Sequence, residues 1–217
     1  QGAQAGRVRA RDIDVEEAFT FLSERAEAPS TTPQLRAYAS EVWDAMVEET
    51  GTVFSRFTQN AATRKTYRTL LSRHIRSHDA VVSFNYDTIF ETSLPGNYDW
   101  AYYGIDDRTG ALRVLKPHGS VNWAYTDQQI SVQTNPDRSV IVAPTHLKFV
   151  LTGPTGDVAN PINGYLNQTT EIKEIWAEME RQMRQSKVLV FIGYSFPVAD
   201  LYFASVLRSV LAIRETS

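Results

Sequence analysis

The stretch AVVSFNYDTIFE, residues 80–91, decides the fold class of this chain. AVVSF is a short apolar run with β-branched residues, which is typical of a buried strand. The run then breaks at Asn85-Tyr86-Asp87, so an amide and a carboxylate stand at the predicted strand tip. An Asx-turn that caps a short helix from about Thr88 would explain both side chains by itself.

The chain before this strand is predicted to be helical. Asp14 and Glu17 form a capping-box pattern ahead of a first amphipathic helix, and apolar residues at helical spacing predict two more helices. These further helices are centred on residues 35–47 and 62–77. We therefore expect one domain over residues 1–217, with a helical portion at 12–78 and an α/β core at 80–211.

The chain after Ala80 alternates between predicted strands and helices. The predicted strands are Arg113–Leu115, VNWAY (121–125), SVIVAP (139–144) and KVLVFIG (187–193), of which the last has the strongest pattern. Helices are predicted around residues 172–183 and after Asp200, which would cap the second of them. This order favours an α/β fold, and we predict a Rossmann-like three-layer domain with a mostly parallel sheet and a helical N-terminal insert.

Composition narrows the classes of protein that fit. The net charge of −3 gives no general reason to expect nucleic acid or an anionic membrane as a partner. No apolar run approaches the roughly 20 residues that a membrane-spanning helix needs, so a cytoplasmic protein is expected. The chain has no cysteine and no spaced histidine pair, and we therefore predict that it binds no metal.

Three polar segments follow predicted strands: Asn85-Tyr86-Asp87, His118-Gly119-Ser120 and Gly193-Tyr194-Ser195. In open parallel sheets ligands bind beyond the carboxyl ends of the strands, so these tips are expected to share one cleft. A serine-hydrolase elbow does not fit the third tip, because Pro197 replaces the final glycine and no histidine follows. No G-x-G-x-x-G fingerprint lies at a strand-to-helix junction either.

Taken in order, the segments SFNYD, KPHGS and GYSFPVAD resemble the sirtuin family. They are most similar to the sirtuin-like domains of prokaryotic antiviral defence proteins. The resemblance covers about residues 80–210 and implies NAD as the substrate. It also implies roles for individual residues. Asn85 would position water or ribose at the reacting C1′ carbon, His118 would act as general base, and Asp87 would accept a hydrogen bond from the nicotinamide carboxamide.

Four further residues of the three motifs would bind the nucleotide, and these are Tyr86, Gly119, Gly193 and Ser195. Two features depart from the family pattern. The four-cysteine zinc module of deacylating sirtuins has no counterpart here, which favours transfer to water over peptide deacylation. The first strand with its glycine-rich phosphate loop, and a final strand after the Asp200 helix, also have no counterpart. Weak binding of NAD⁺ by this 217-residue chain is therefore expected.

The function predicted from these motifs is NAD⁺ glycohydrolysis, as an effector that depletes NAD⁺ in antiphage defence. Three alternatives stay open. The chain could be a non-catalytic module that senses NAD or a related nucleotide, or an NAD-dependent protein deacylase. It could also be an interaction domain that uses a basic helix, whose cations are Arg64, Lys65, Arg68, Arg73 and Arg76. A homo-oligomer, or a fused or associated sensor domain, is the expected partner.

Overall fold

The computed structural model describes residues 15–27, 30–57, 61–96, 98–106, 108–127, 129–134, 136, 139–142, 170–196 and 200–214. The helices within these ranges are α1 Val15–Glu27, α2 Pro33–Phe57, α3 Ala61–His74, α4 Ile89–Ser93, α5 Thr170–Gln185 and α6 Leu201–Arg214. The strands are β1 Ala80–Val82, β2 Trp100–Tyr102, β3 Leu112–Leu115, β4 Gly119–Ser120, β5 Trp123–Thr126, β6 Gln129–Val132 and β7 Val140–Ile141.

The helical first third of the chain is present, and α1 packs on α2. Phe19 and Trp43 meet edge to face with ring centroids 4.7 Å apart, an arrangement that aromatic pairs favour. This small core extends to Val121 and Ile141, so it joins the helices to the strands near β4 and β7. The predicted cap at Asp14 lies outside the described residues.

A three-stranded parallel sheet has the order β1-β3-β2. Val81 aligns with Val114, and Tyr102 aligns with Val114 from the other side. In the central strand β3, Leu112, Val114 and Leu115 are all buried, as expected for a strand with neighbours on both edges. Helices and a small parallel sheet together confirm a mixed α/β fold that is compatible with a Rossmann-like domain.

The remaining ladders are antiparallel, which the sequence did not predict. β4 pairs with β7, and β5 pairs with β6. The β5–β6 hairpin closes through Asp127, which has a positive φ of 52°. Short antiparallel pairs need only a tight turn, whereas parallel strands need a long crossover. The parallel part of the prediction is therefore confirmed only for β1, β2 and β3.

The predicted strand KVLVFIG is wrong: residues 187–193 belong to no sheet in the described structure. No hydrogen bond joins the main chain of residues 188–193 to any described residue. Val188, Val190, Phe191 and Ile192 are exposed, and only Leu189 is packed against the main core. An apolar, β-branched run favours strand formation only when a neighbouring strand supplies the hydrogen bonds, and no strand among the described residues does so here.

The last two helices complete the main core. The predicted apolar stripe of α5 is entirely buried, and it consists of Ile172, Ile175, Trp176, Met179 and Met183. α6 contributes Phe203, Val206 and Val210, while Leu201 at its start is half exposed. Among the described helices, none combines the length and apolar character that crossing a membrane requires.

Candidate functional site

The first tip follows β1 and turns directly into α4. Asn85 is exposed, and its side chain makes no hydrogen bond with the described residues. Asp87 is buried and its Oδ1 accepts a hydrogen bond of 2.8 Å from the Ile89 amide, which is the Asx-type cap considered from the sequence. Oδ2 of Asp87 accepts no hydrogen bond from the described residues.

Tyr86 anchors this tip to the strands behind it. Its hydroxyl donates to the Val142 carbonyl at 3.1 Å, and its ring lies edge to face with Phe54 of α2. Its own carbonyl accepts a 2.9 Å hydrogen bond from the Val121 amide. Tyr86 therefore holds the main chain of the tip in place.

The second tip is the turn that leads from β3 into β4. The Gly119 amide donates to the Lys116 carbonyl at 3.0 Å, and Trp176 Nε1 donates to the Pro117 carbonyl at 3.1 Å. Gly119 has φ of +84°, and a Cβ at this position would overlap the carbonyl oxygen of Val140. His118, between them, is only 4% exposed. The turn thus fixes His118 inside the protein rather than on its surface.

The third tip follows residues 187–192 and precedes α6. Gly193 has φ of +67°, a left-handed conformation that glycine adopts at little cost. The Tyr194 hydroxyl donates to Oδ2 of Asp200 at 2.5 Å. Ser195 is exposed, and its hydroxyl makes no hydrogen bond with the described residues.

The three tips meet around the ring of Phe84. Its centroid lies 5.1 Å from that of His118 and 4.7 Å from that of Tyr194. The ring centroids of Tyr86 and His118 are 6.3 Å apart, and those of Trp176 and His118 are 6.0 Å apart. The structure therefore brings residues of all three sequence motifs into one aromatic cluster, at the end of β1 and β3 where the sequence predicted a cleft.

Asp200 supplies the charge in this cluster, and the sequence analysis missed it. The residue is 1% exposed, and its Oδ2 lies 3.5 Å from Nε2 of His118. From the sequence it was interpreted as a helix cap, and its carbonyl does accept the Ala204 amide at the start of α6. Its position within the segment GYSFPVAD was the only available signal that it belongs to the site.

A buried ion pair lies next to the first tip, and the sequence does not predict it. Lys116 and Glu91 form an ion pair with 3.0 Å between Nζ and Oε1, and both side chains are almost completely buried. Burial, and next the negative charge of Glu91, raise the pKa of the nearby Tyr102 well above its ordinary value. Tyr102 therefore stays protonated and can act as a hydrogen-bond donor in this region.

The arrangement provides a histidine beside a carboxylate, an exposed carboxamide, and the oxygen Asp87 Oδ2, which accepts no hydrogen bond from the described residues. These groups can transfer a proton, orient a polar ligand atom and accept a hydrogen bond from a ligand amide. No cluster of histidine, aspartate and glutamate able to hold a metal ion occurs among the described residues.

Two comparisons with known proteins bear on this site. A family model described as the SIR2-like domain matches residues 79–217, which is more than half of the chain and includes all three tips. No curated protein matches the chain significantly.

Proposed function

The chain belongs to the SIR2-like domain family, whose members are often NAD-dependent enzymes, and we propose that it is an NAD⁺ glycohydrolase. The observation that supports this most strongly is the meeting of the three polar segments, two of which follow the strands β1 and β3, around Phe84, His118 and Asp200. A structural turn at each tip would explain the residues separately but not their common location. We further propose that the enzyme acts as an effector of antiphage defence by depleting NAD⁺.

Hydrolysis of the glycosidic bond of NAD⁺ needs few protein side chains. The bond between C1′ of the ribose and the nicotinamide nitrogen breaks, and the electron pair leaves with nicotinamide, which becomes neutral. Water adds to C1′ and loses a proton, so the products are ADP-ribose, nicotinamide and a proton. The sugar passes through an oxocarbenium-like state, which the exposed Asn85 carboxamide would stabilise and align with water.

His118 would be the general base, acting on a ribose hydroxyl, because a histidine can exchange a proton near neutral pH. The carboxylate of Asp200 faces its Nε2 and would stabilise the cationic ring after proton transfer. Asp87 Oδ2 would accept a hydrogen bond from the nicotinamide carboxamide. Tyr86, Gly119, Gly193 and Ser195 would lie along the nucleotide.

A release assay tests the proposal directly. The chain is incubated with millimolar NAD⁺, since weak binding is expected, and nicotinamide is followed with and without an acylated peptide. Release without peptide is the result expected of a glycohydrolase. Release that depends on the peptide would instead identify a deacylase, and NAD⁺ binding in calorimetry without any release would identify a sensor.

The role in defence needs a cellular measurement. Cells expressing the wild-type chain should lose NAD⁺ after phage infection, whereas cells expressing the Asn85→Ala variant should keep it. Equal NAD⁺ levels in the two infected cultures would contradict the defence role, even if the purified chain hydrolyses NAD⁺.

A further inference from the structure

We propose that the buried Lys116–Glu91 ion pair positions the Asn85-Tyr86-Asp87 tip against the His118 turn, which makes Lys116 a positioning residue. The ammonium lies 3.0 Å from Glu91 Oε1, and it also donates to the main-chain carbonyl of Asp87. This inference rests on the proposed function only for its catalytic consequence; the positioning itself can be tested without activity.

Burial makes the pair costly, so its presence needs a reason. The side chains are 0% and 1% exposed, and removing two such charges from water carries a large desolvation penalty. Neither Glu91 oxygen has a hydrogen-bond donor in good geometry among the described residues, and the two groups that interact with its charge are the Lys116 ammonium and the Tyr102 hydroxyl. Apolar residues of similar volume often stabilise such a position as well or better, and stability alone therefore does not account for the pair.

The pair connects two segments that both belong to the site. Glu91 lies in α4, the helix that begins directly after the first tip, whereas Lys116 opens the turn that contains His118. The Lys116 ammonium reaches across to the Asp87 carbonyl, and the Lys116 carbonyl accepts the Gly119 amide. A displacement of Lys116 would therefore move the main chain on both sides of the candidate cleft.

A neutral network holds the neighbouring carbonyl of the same tip. The Ser120 hydroxyl lies 3.3 Å from the Tyr86 carbonyl and 2.7 Å from Asn122 Oδ1. Asn122 Nδ2 in turn donates to the Tyr102 hydroxyl at 3.2 Å. Two consecutive carbonyls, those of Tyr86 and Asp87, are thus fixed from behind, while the Asn85 side chain remains at the surface.

The test compares the double variant Lys116→Met/Glu91→Leu with the wild type. Each single variant leaves one buried charge unpaired and should melt early, whereas the double variant should recover most of the melting temperature. The matched control is Arg184→Met/Glu180→Leu, which removes an ion pair of α5 that is about one-third exposed. This control should leave the tip unchanged.

Amide hydrogen exchange reports positioning independently of catalysis. The Ile89 and Val121 amides donate to acceptors in the tip, and the Leu112 amide donates to the Asp99 carbonyl away from it. In the double variant we expect exchange at Ile89 and Val121 to be at least ~10-fold faster while Leu112 keeps its protection. Misplacement of reacting groups should also lower kcat by ~10-fold or more.

Each result of these measurements either supports or overturns the positioning role. Wild-type exchange at Ile89 and Val121 in a folded double variant would overturn the positioning role, whatever the activity. Faster exchange there in a protein whose wild type releases no nicotinamide would support positioning and reject the proposed hydrolase. If the double variant does not fold, Glu91→Gln, which keeps the volume and removes the charge, should show the same selective change. Failure of both variants to fold would make the pair a requirement of the fold and overturn the proposal.

Discussion

At the scale of single residues, His118 packs against aromatic rings and also lies next to a carboxylate. Phe84, Tyr86 and Trp176 surround its ring, and Asp200 is its charged neighbour among the described residues. A histidine kept only for packing would not need a carboxylate at 3.5 Å. Its catalytic and structural roles therefore make different predictions for the same substitution.

The substitution His118→Ala should lower nicotinamide release by ~10²–10⁴-fold, which is the usual contribution of a general base. Asn85→Ala should act similarly because it serves the same carbon, and the double variant should lose little more than either single variant. Melting temperature and release are measured together, with His78→Ala as an exposed-histidine control. A His118→Ala protein that melts early but keeps its rate per folded molecule would make His118 structural.

Gly119 offers a second prediction, on stability. Gly119 and Gly110 have nearly equal φ values of +84° and +82°, but a Cβ at 119 overlaps Val140 whereas one at 110 meets open space. Gly110→Ala should cost about 1–2 kcal/mol for the left-handed conformation alone. Gly119→Ala should cost a further ~1–3 kcal/mol for the clash. Urea unfolding measures both variants, and equal losses would show that the strands β4 and β7 separate without penalty.

The residues of the site were predictable only in part. Asn85, Asp87 and His118 stand at strand tips within recognisable motifs, so their common neighbourhood could be expected. Glu91 and Lys116 are 25 positions apart, and nothing in one sequence indicates that a lysine and a glutamate so separated form a buried pair. Such partnerships depend on how β1, α4 and β3 pack, which is a property of the tertiary structure.

At the scale of elements, α5 combines a buried stripe with a buried acid. Burial alone would raise the pKa of Glu178, but hydrogen bonds from Arg181 and Gln182 and the charges of Arg181 and Arg113 outweigh it and lower this pKa. Arg181 contributes two contacts of 2.5 and 2.6 Å, and Arg113 Nη1 lies 3.1 Å away on β3. The Glu178 carboxylate therefore connects α5 to the central strand β3 through Arg113.

A depressed pKa in the folded state stabilises the protein at pH values above the unfolded pKa, and this stabilisation is lost as the pH falls through the folded pKa. Glu178→Gln should therefore cost about 1 kcal/mol at pH 7, a modest value because both arginines are half exposed. The difference from wild type should shrink on acidification below the ordinary glutamate range. Urea midpoints at several pH values test this, with Glu180→Gln as the control; a pH-independent difference would contradict it.

Helices were easier to predict than strands. A period of apolar residues over 14 or more positions, as in α3, α5 and α6, is a property of the segment itself. The strands β2 and β6 have three and four residues, and they were missed because hydrogen bonds to a neighbour define them rather than their composition. The same dependence explains the opposite error at residues 187–193, where the composition fits a strand but no described strand lies alongside.

At the scale of the whole molecule, residues 188–192 hold four large apolar side chains that are exposed, those of Val188, Val190, Phe191 and Ile192. Val188, Val190 and Ile192 are exposed by 67–74%, and the main chain beside them makes no hydrogen bond with the described residues. Main-chain N–H and C=O groups that no described residue pairs can form hydrogen bonds with a strand of another chain. The core beneath the edge is unaffected, because only Leu189 of these residues reaches it.

We therefore expect Val190→Lys to reduce concentration-dependent self-association while leaving the melting temperature nearly unchanged. The added charge stands at a side chain that is 74% exposed, so it opposes edge pairing without disturbing any buried contact. The matched control is Leu189→Lys, one residue earlier, which places the charge against the core and should lower the melting temperature. Sedimentation velocity over a range of protein concentrations measures association in both variants. If Val190→Lys associates as the wild type does, the edge is not the contact surface; if it also melts early, residue 190 supports the fold through interactions beyond the described residues.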